Sequence, residues 1–358
     1  MSSQRPSREI EPIGRWPLVS ILVPCRNEAR CIASCLDSIL ASTYPHDRLE
    51  ILIADGLSVD GTRDIVSGYA ANDGRFRLLD NPGRTAPTGL NLAIREAVGE
   101  VIVRMDAHAT FPPEYLVRLV AALDETGADN VGTVVITVPA DDTMMAQAIA
   151  VGLSHPFGVG NSRFRIGTTV RRWVDHVPFG CWRRATLERL GPFDESLIRG
   201  QDVELNARIL ARGGRILLLP DVSSTYYARR TLGQVGRMLY QYGYFKPLVA
   251  RKIGKVLTLR QMAPPALVLA IAAALLLGLW WDPPALPLAL VVGPYAALVA
   301  ASATVAVVRQ GACCGLALLA VLPVMHTSYG LGYLRGLFDH FLLSRWSPPS
   351  RREVALTR

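Results

Sequence analysis

Three points along the sequence carry side chains suited to chemistry on a phosphorylated donor: Asp55, the pair Asp106 and His108, and Asp202. A carboxylate at the end of an apolar run can accept hydrogen bonds from a base or ribose. A carboxylate and an imidazole two residues apart can hold a divalent cation, and a further carboxylate can take the proton of an incoming hydroxyl. Transfer from a nucleotide-diphosphate donor needs one site for each of these tasks, and the sequence offers one for each.

These groups must be positioned by the elements around them. Residues 18–24 are a short apolar, β-branched run, followed by Cys25-Arg26-Asn27-Glu28 and an amphipathic stretch at 29–42, which reads strand, loop, helix. Residues 49–54 form a second buried strand that ends in Asp55 and a loop to Thr62, with a helix to 70. A third strand at 76–79, a helix around 89–98 and a fourth strand at 101–105 lead to Asp106-Ala107-His108. Strands alternating with helices imply a parallel sheet whose ligands bind beyond the carboxyl ends of its strands, where these polar clusters fall. From 131 onward the alternation weakens, through a Gly- and Arg-rich region at 158–172. Then come Phe179-Gly180-Cys181-Trp182, a helix near 185–190, a turn at 191–194 and a helix from about 202 to 212. An acceptor is expected in this second region.

Half of the 358 residues are hydrophobic and 19% are charged. The two classes are segregated: residues 263–334 hold only Asp282 and Arg309 among charged residues. Residues 263–281, 286–308 and 311–334 are each long and apolar enough to cross a bilayer, and Trp280-Trp281 suit an interfacial belt. Arg251, Lys252, Lys255 and Arg260 ahead of the first span favour a cytoplasmic start. Three full spans would then export a tail holding Arg335, Arg345, Arg351, Arg352 and Arg358, so the third segment, with Pro323 and its glycines, is expected either to re-enter or to break the positive-inside rule. The net charge is +8, with clusters at Arg171-Arg172, Arg183-Arg184 and Arg229-Arg230; charge alone does not choose among nucleic acid, anionic lipid and diphosphates. Six scattered cysteines without a C-x-x-C pair argue against a zinc site or a disulfide framework and fit a reducing compartment. The polar N-terminus has no apolar signal segment, so the first domain is expected in the cytoplasm.

The residues Val19 to Pro24 with Arg26-Asn27-Glu28, the loop Asp55 to Thr62, Asp106-Ala107-His108 and Gln201-Asp202-Val203-Glu204-Leu205 stand in one order and spacing. Together they resemble the family 2 glycosyltransferases, and within them the membrane-bound exopolysaccharide enzymes of the succinoglycan type. The resemblance spans roughly residues 17–250. It implies an α/β, GT-A nucleotide-diphospho-sugar transferase fold with a mostly parallel sheet, followed by C-terminal transmembrane helices. It also implies that Asp55 binds the nucleobase, helped by Pro24, Arg26, Asn27 and Glu28, that Arg84 and Asn91 line the nucleotide site, and that Asp106 and His108 occupy the D-x-D metal position. Imidazole in place of a carboxylate favours Mn²⁺ over Mg²⁺ as the divalent cation. Asp202 corresponds to the base of the family's E-D pair, with Gln201 in place of the first acid; Cys181 and Trp182 correspond to an acceptor loop. The stretch Gln241 to Phe245 lacks the Arg and Trp of the processive enzymes' Q-x-x-R-W, which leaves Gln241, Tyr244 and Lys246 to meet a lipid-linked acceptor. Each assignment has a structural alternative: His108 bonded to a neighbouring loop, Asp202 as a helix cap, Trp182 in the core, Arg84 and Asn91 on the surface.

The expectation is therefore a tail at 1–16, a catalytic domain at 17–230 (nucleotide half 17–130, acceptor half 131–230), an interfacial segment at 231–262, a membrane region at 263–343 with two or three spans, and a basic tail at 344–358. The implied reaction moves a hexose, glucose first, from a UDP-sugar to a polyprenyl-diphosphate-linked glycan, with inversion, at the inner membrane. The partners are that donor, that acceptor and membrane lipid, without nucleic acid. The alternatives are a processive polysaccharide synthase and a non-catalytic nucleotide-sugar-binding scaffold.

Overall fold

The computed structural model describes residues 15–254 and 258–342. Lys255, the first 14 residues and the basic tail at 344–358 lie outside the described residues.

The first part of the chain follows the expected alternation. Strands β1 (Val19–Cys25), β2 (Leu49–Asp55), β3 (Phe76–Asp80) and β4 (Val101–Arg104) pair in parallel in the order β3-β2-β1-β4. Helices α1 (Ile32–Leu40), α2 (Thr62–Asn72) and α3 (Ala86–Glu96) connect them. These strands have apolar residues on both faces because both are covered. Val19, Ile21 and Val23 join one core cluster, and Leu22 joins another on the opposite face with Leu52 and Leu90.

The part of the domain after β4 is mixed. It contains β5 (Ala109–Thr110), α4 (Tyr115–Thr126), β6 (Asn130–Val138), α5 (Met144–Ser154), the single turns α6 (Pro156–Val159) and α7 (Arg163–Ile166), β7 (Arg172–Trp173), β8 (Cys181–Arg183), α8 (Arg184–Leu190), α9 (Gln201–Ala211) and β9 (Ile216–Tyr227). Strand β8 runs antiparallel between β4 and β6. Strand β9 runs parallel to β6, and its register shifts between Thr133 and Val134, opposite Leu219 and Ser223. Pro220, which has no N–H to give a ladder, falls within that shift. The first four strands are thus wholly parallel, whereas the second half combines the parallel β6–β9 pair with antiparallel ones.

Helix α10 (Leu232–Ile253) begins at a capping box formed by Thr231 and Gln234. It is followed by α11 (Ala263–Leu277), α12 (Leu286–Gln310) and α13 (Ala312–Leu337). Three segments, Arg260–Leu277, Leu286–Gln310 and Ala312–Phe341, are long and apolar enough to span a membrane. The third passes through Pro323 as one continuous helix and shows no re-entrant break. Leu275, Leu276, Leu290 and Val308 are exposed on these helices and Trp280 in the turn after α11, as suits contact with lipid. Helix α10 packs along α13 at backbone distance: a Cβ on Gly332 would lie 2.1 Å from the Tyr240 carbonyl oxygen, and one on Gly243 would lie 2.1 Å from that of Tyr329. Helix α5 seats the catalytic half on α13 through a shared apolar cluster that includes Leu153, Met238, Leu318 and Met325.

Candidate active site

The loops beyond β1, β2 and β3 form one network. Asp55 is fully buried; its carboxylate accepts from the Ser58 amide (2.9 Å), the Ser58 hydroxyl (2.5 Å) and Arg63 Nη1 (2.8 Å). It therefore shapes the 55–63 loop, and meeting a base would require exchange of one of these bonds. Asn27 accepts from the Val59 amide, the Asn27 amide donates to Ser58 Oγ, and the Glu28 amide donates to Thr62 Oγ1. The Arg26 stem lies across Gly56, and Pro24 pairs with Ala54 at the strand ends. Asn27, Leu57 and Arg84 all hold positive φ, an uncommon conformation that clusters here at the sheet's carboxyl edge. Arg84 is exposed. Asn91 is buried, and it bonds Phe193 N, Phe193 O and Glu195 Oε1, tying α3 to the 193–195 turn instead of facing the cleft.

Asp106 lies two residues beyond β4 and is clasped by the last residue of that strand. Arg104 Nε donates to Asp106 Oδ1 (2.7 Å) and Nη2 to Oδ2 (2.9 Å), both residues being buried. The remaining Arg104 Nη1 is buried without a protein partner. His108 Nδ1 stands 3.3 Å from Glu28 Oε1, so the histidine does touch a neighbouring loop. Its Nε2 makes no hydrogen bond among the described residues, which leaves it available as a ligand. Among the described residues no three His, Cys, Asp or Glu side chains gather into a closed metal site. Asp106 and His108 fit a cation whose remaining ligands arrive with a substrate.

Asp202 lies in the first turn of α9, one residue beyond the helix start at Gln201; the cap position is Gly200, so Asp202 is not the cap. Its carboxyl accepts from the Val203 amide (2.8 Å). Burial alone would raise this carboxyl, but His176, Arg104, Lys246 and the Val203 amide hold it below the usual carboxylate range. The tautomer of His176 can be traced from the backbone. Asn130 Oδ1 accepts from the Cys181 amide, so Asn130 Nδ2 faces Asn206 Oδ1 (2.7 Å). Asn206 Nδ2 then donates to Val177 O and to His176 Nδ1 (2.8 Å), which must be the unprotonated nitrogen. The proton is thereby placed on Nε2, which faces Asp202 Oδ2 at 3.8 Å.

A cavity of about 630 Å³ joins these groups. Arg104, Asp106, His108, His176, Gln201 and Asp202 line one end, and Pro264, Leu267, Tyr295, His326 and Tyr329 of the apolar helices line the other. Buried Gln201 is on its wall. Cys181 and Trp182 are not: both side chains are buried, and Trp182 stands edge-on to Phe193 in the core (ring centroids 6.2 Å apart). Phe179, in the bend ahead of β8 where it holds a positive φ, lies on the cavity instead. Gln241 is buried and accepts from Arg199 Nε (3.3 Å), while the Tyr244 hydroxyl donates to Asp339 (3.2 Å) on the far side of α10; neither lines the cavity, whereas Tyr242 and Lys246 do. His176, Arg165, Arg229 and Tyr226 are cavity residues that no sequence motif singled out as site residues. A second cavity, of about 400 Å³ between Thr110–Glu114 and Pro220–Thr225, holds none of these groups.

Residues 20–189 match the family described as Glycosyl transferase family 2. Over 322 residues the chain is 33% identical to the succinoglycan biosynthesis protein ExoA of Rhizobium meliloti, covering 89% of this chain and 94% of that one. It is 26% identical over 242 residues to a dolichyl N-acetyl-α-D-glucosaminyl phosphate 3-β-D-2,3-diacetamido-2,3-dideoxy-β-D-glucuronosyltransferase of Methanococcus voltae, 65% of this chain and 74% of that one. Among solved structures, the mannosyltransferase PcManGT from Pyrobaculum calidifontis in complex with GDP-Man and Mn²⁺ matches with a TM-score of 0.58 at 23% identity, over 91% of this chain and 88% of that one. The architecture is the GT-A fold.

Proposed function

The chain belongs to glycosyltransferase family 2, and from that premise we propose that it adds one hexose from a UDP-sugar to a polyprenyl-diphosphate-linked glycan during exopolysaccharide assembly, inverting the anomeric configuration. The observation that supports a lipid-linked acceptor is the single cavity running from Asp106 and Asp202 to the apolar helices α11–α13. A water-soluble acceptor would not need a site walled by membrane-type helices. The relative's name, a succinoglycan biosynthesis protein, supports an exopolysaccharide product. Arg251, Lys252 and Arg260 at the start of the first apolar segment support a catalytic domain on the cytoplasmic side of the inner membrane.

In this reading the nucleotide lies over the loops carrying Asn27, Glu28 and Asp55, and Asp106 with His108 holds the divalent cation. Mn²⁺, present in the PcManGT complex, is the first ion to test. When bound, the cation would neutralise charge on the leaving diphosphate. Asp202 is ionised at neutral pH and faces the cavity, so it can take the acceptor hydroxyl's proton as that oxygen attacks the anomeric carbon. His176 Nε2–H faces Asp202 Oδ2 at 3.8 Å and the Val203 amide holds Oδ1, which fixes the carboxylate and leaves lone pairs on both oxygens for the acceptor hydroxyl. A single displacement of this kind inverts the centre.

The test is UDP release by the purified full chain from UDP-glucose, UDP-galactose and UDP-N-acetylglucosamine, with Mn²⁺, Mg²⁺ or EDTA, with and without a lipid extract. Metal-dependent release that needs the extract is expected. Release unaffected by lipid would remove the lipid-linked acceptor, and UDP binding without turnover would favour a scaffold.

A further inference from the structure

The cavity is far more cationic than its catalytic end requires. Arg104, Arg165, Arg199, Arg229, Lys246 and Arg260 line it, against the carboxylates of Asp106 and Asp202. Arg104 is matched by Asp106, and a donor diphosphate would be matched by its own cation. Arg229, Lys246 and Arg260 have no such match.

Among these, Arg229 is the most telling. It follows β9, is only 8% exposed, and makes no ion pair or hydrogen bond to any described residue; its Nε is buried without a partner. A guanidinium buried without an anion is costly, by several kcal/mol per ion. Arg260 lays its stem over Gly160, with a Cβ there 3.0 Å from Arg260 Cδ, and likewise makes no ion pair among the described residues. Lys246 on α10 has none either. Burial pushes its ammonium below the ordinary value and Arg260 pushes it further, with Asp202 opposing. Three cations in one cavity, none with a carboxylate at ion-pair distance among the described residues, describe an anion-binding site.

We propose that Arg229, Lys246 and Arg260 form the seat for the phosphate or diphosphate that joins the acceptor glycan to its lipid, with the lipid chain leaving along Pro264, Leu267 and Tyr329. This rests on the lipid-linked acceptor proposed above and assigns it a place. The seat separates two anions in one cavity: the donor diphosphate at Asp106 and His108, and the acceptor phosphate at the membrane end. Its position orients the glycan's terminal hydroxyl toward Asp202.

The experiment uses the full chain in detergent, saturated with UDP and Mn²⁺ so that the donor site is filled. Geranylgeranyl diphosphate, inorganic pyrophosphate and geranylgeraniol are titrated separately, and binding is followed by the shift in thermal unfolding. The diphosphate lipid is expected to bind, and Arg229→Gln and Arg260→Gln each to weaken it about tenfold or more while UDP affinity changes less than twofold. Without ligand, Arg229→Gln is expected to raise the unfolding midpoint, since it removes an unmatched buried charge, and Arg229→Lys to recover part of the binding. Wild-type binding that both variants retain would overturn the seat alone. Parallel loss of UDP affinity would return these cations to the donor, and pyrophosphate binding as tight as the lipid's would make the site one for a free anion; either overturns the proposal. Failure of the wild type to bind the lipid would sink the lipid-linked acceptor itself.

Discussion

His176 Nε2 stands 3.8 Å from Asp202 Oδ2, and Asn206 holds its other ring nitrogen at 2.8 Å. The pair is joined to the sheet through Asn130 and the Cys181 amide, so the orientation of a catalytic-end carboxylate is set from β6 and β8. In the proposed mechanism His176 positions Asp202, and its removal has a thermodynamic signature separate from turnover.

Burial, joined by Lys246 and Arg260 and opposed by Asp202 and Asp175, holds the His176 imidazole below its ordinary value of 6.5. The unfolded chain therefore takes up the proton first as pH falls. The stability owed to neutral His176 is complete above about 6.5 and declines as pH drops from there toward the folded value. Thermal unfolding of wild type and His176→Gln should converge between about pH 7.5 and pH 5. A gap that is the same at both pH values would show that the imidazole is not depressed.

Asp202→Asn should keep UDP affinity and lose about 10²–10⁴-fold in sugar transfer, the range for a general base. Because the native carboxyl lies below its ordinary 3.8, protonation should not limit the wild-type rate anywhere between pH 5 and pH 8. Lys246→Gln, which removes one of the charges depressing it, should move the acid limb upward. A pH profile that Lys246→Gln leaves in place would argue against Asp202 as the base.

Replacing the imidazole at the cation site tests its selectivity. His108→Asp presents two carboxylates and should raise the ratio of Mg²⁺- to Mn²⁺-supported UDP release several-fold. Asp106→Asn should reduce release with either ion by about tenfold or more, the low end for a lost metal-site group. An unchanged metal ratio in His108→Asp would leave His108 as the partner of Glu28 only.

The contact of α10 with α13 makes a prediction about stability. Gly332→Leu pushes a side chain into the Tyr240 carbonyl, 2.1 Å from its Cβ, and should cost about 3 kcal/mol or more through helix separation. Gly233→Ala, in the same α10 but with open space around its Cβ, should be neutral or stabilising by up to about 1 kcal/mol. Melting curves compare the two, and equal midpoints would mean that the helices are not packed at backbone distance.

The sequence by itself determined the elements whose signals are local. Residues 49–54 read as a strand from their apolar run and end one residue short of the observed boundary at Asp55; 202–212 read as a helix and differ from α9 by one residue at each end. The three apolar segments and the carboxylates at strand ends were legible for the same reason, since periodicity and composition reside in consecutive residues. Strand β9 was not legible, because Pro220 and the register shift interrupt its alternation, and α5 lacked a polar face to mark it as a surface helix. Only the tertiary structure decided which partners met. Arg104 could be seen beside Asp106, but not that its fork would close on that carboxylate. His176 reaches Asp202 because β8 inserts antiparallel beside β4 and brings the 176–182 segment back over α9. That insertion also turns Cys181 and Trp182 into the core and leaves Phe179 on the cavity. Arg229, Lys246 and Arg260 come from three separate segments, and they share a cavity only because α10 is held against α13 by glycines. Such encounters depend on strand order and helix contact across long sequence separations, and no local pattern encodes them.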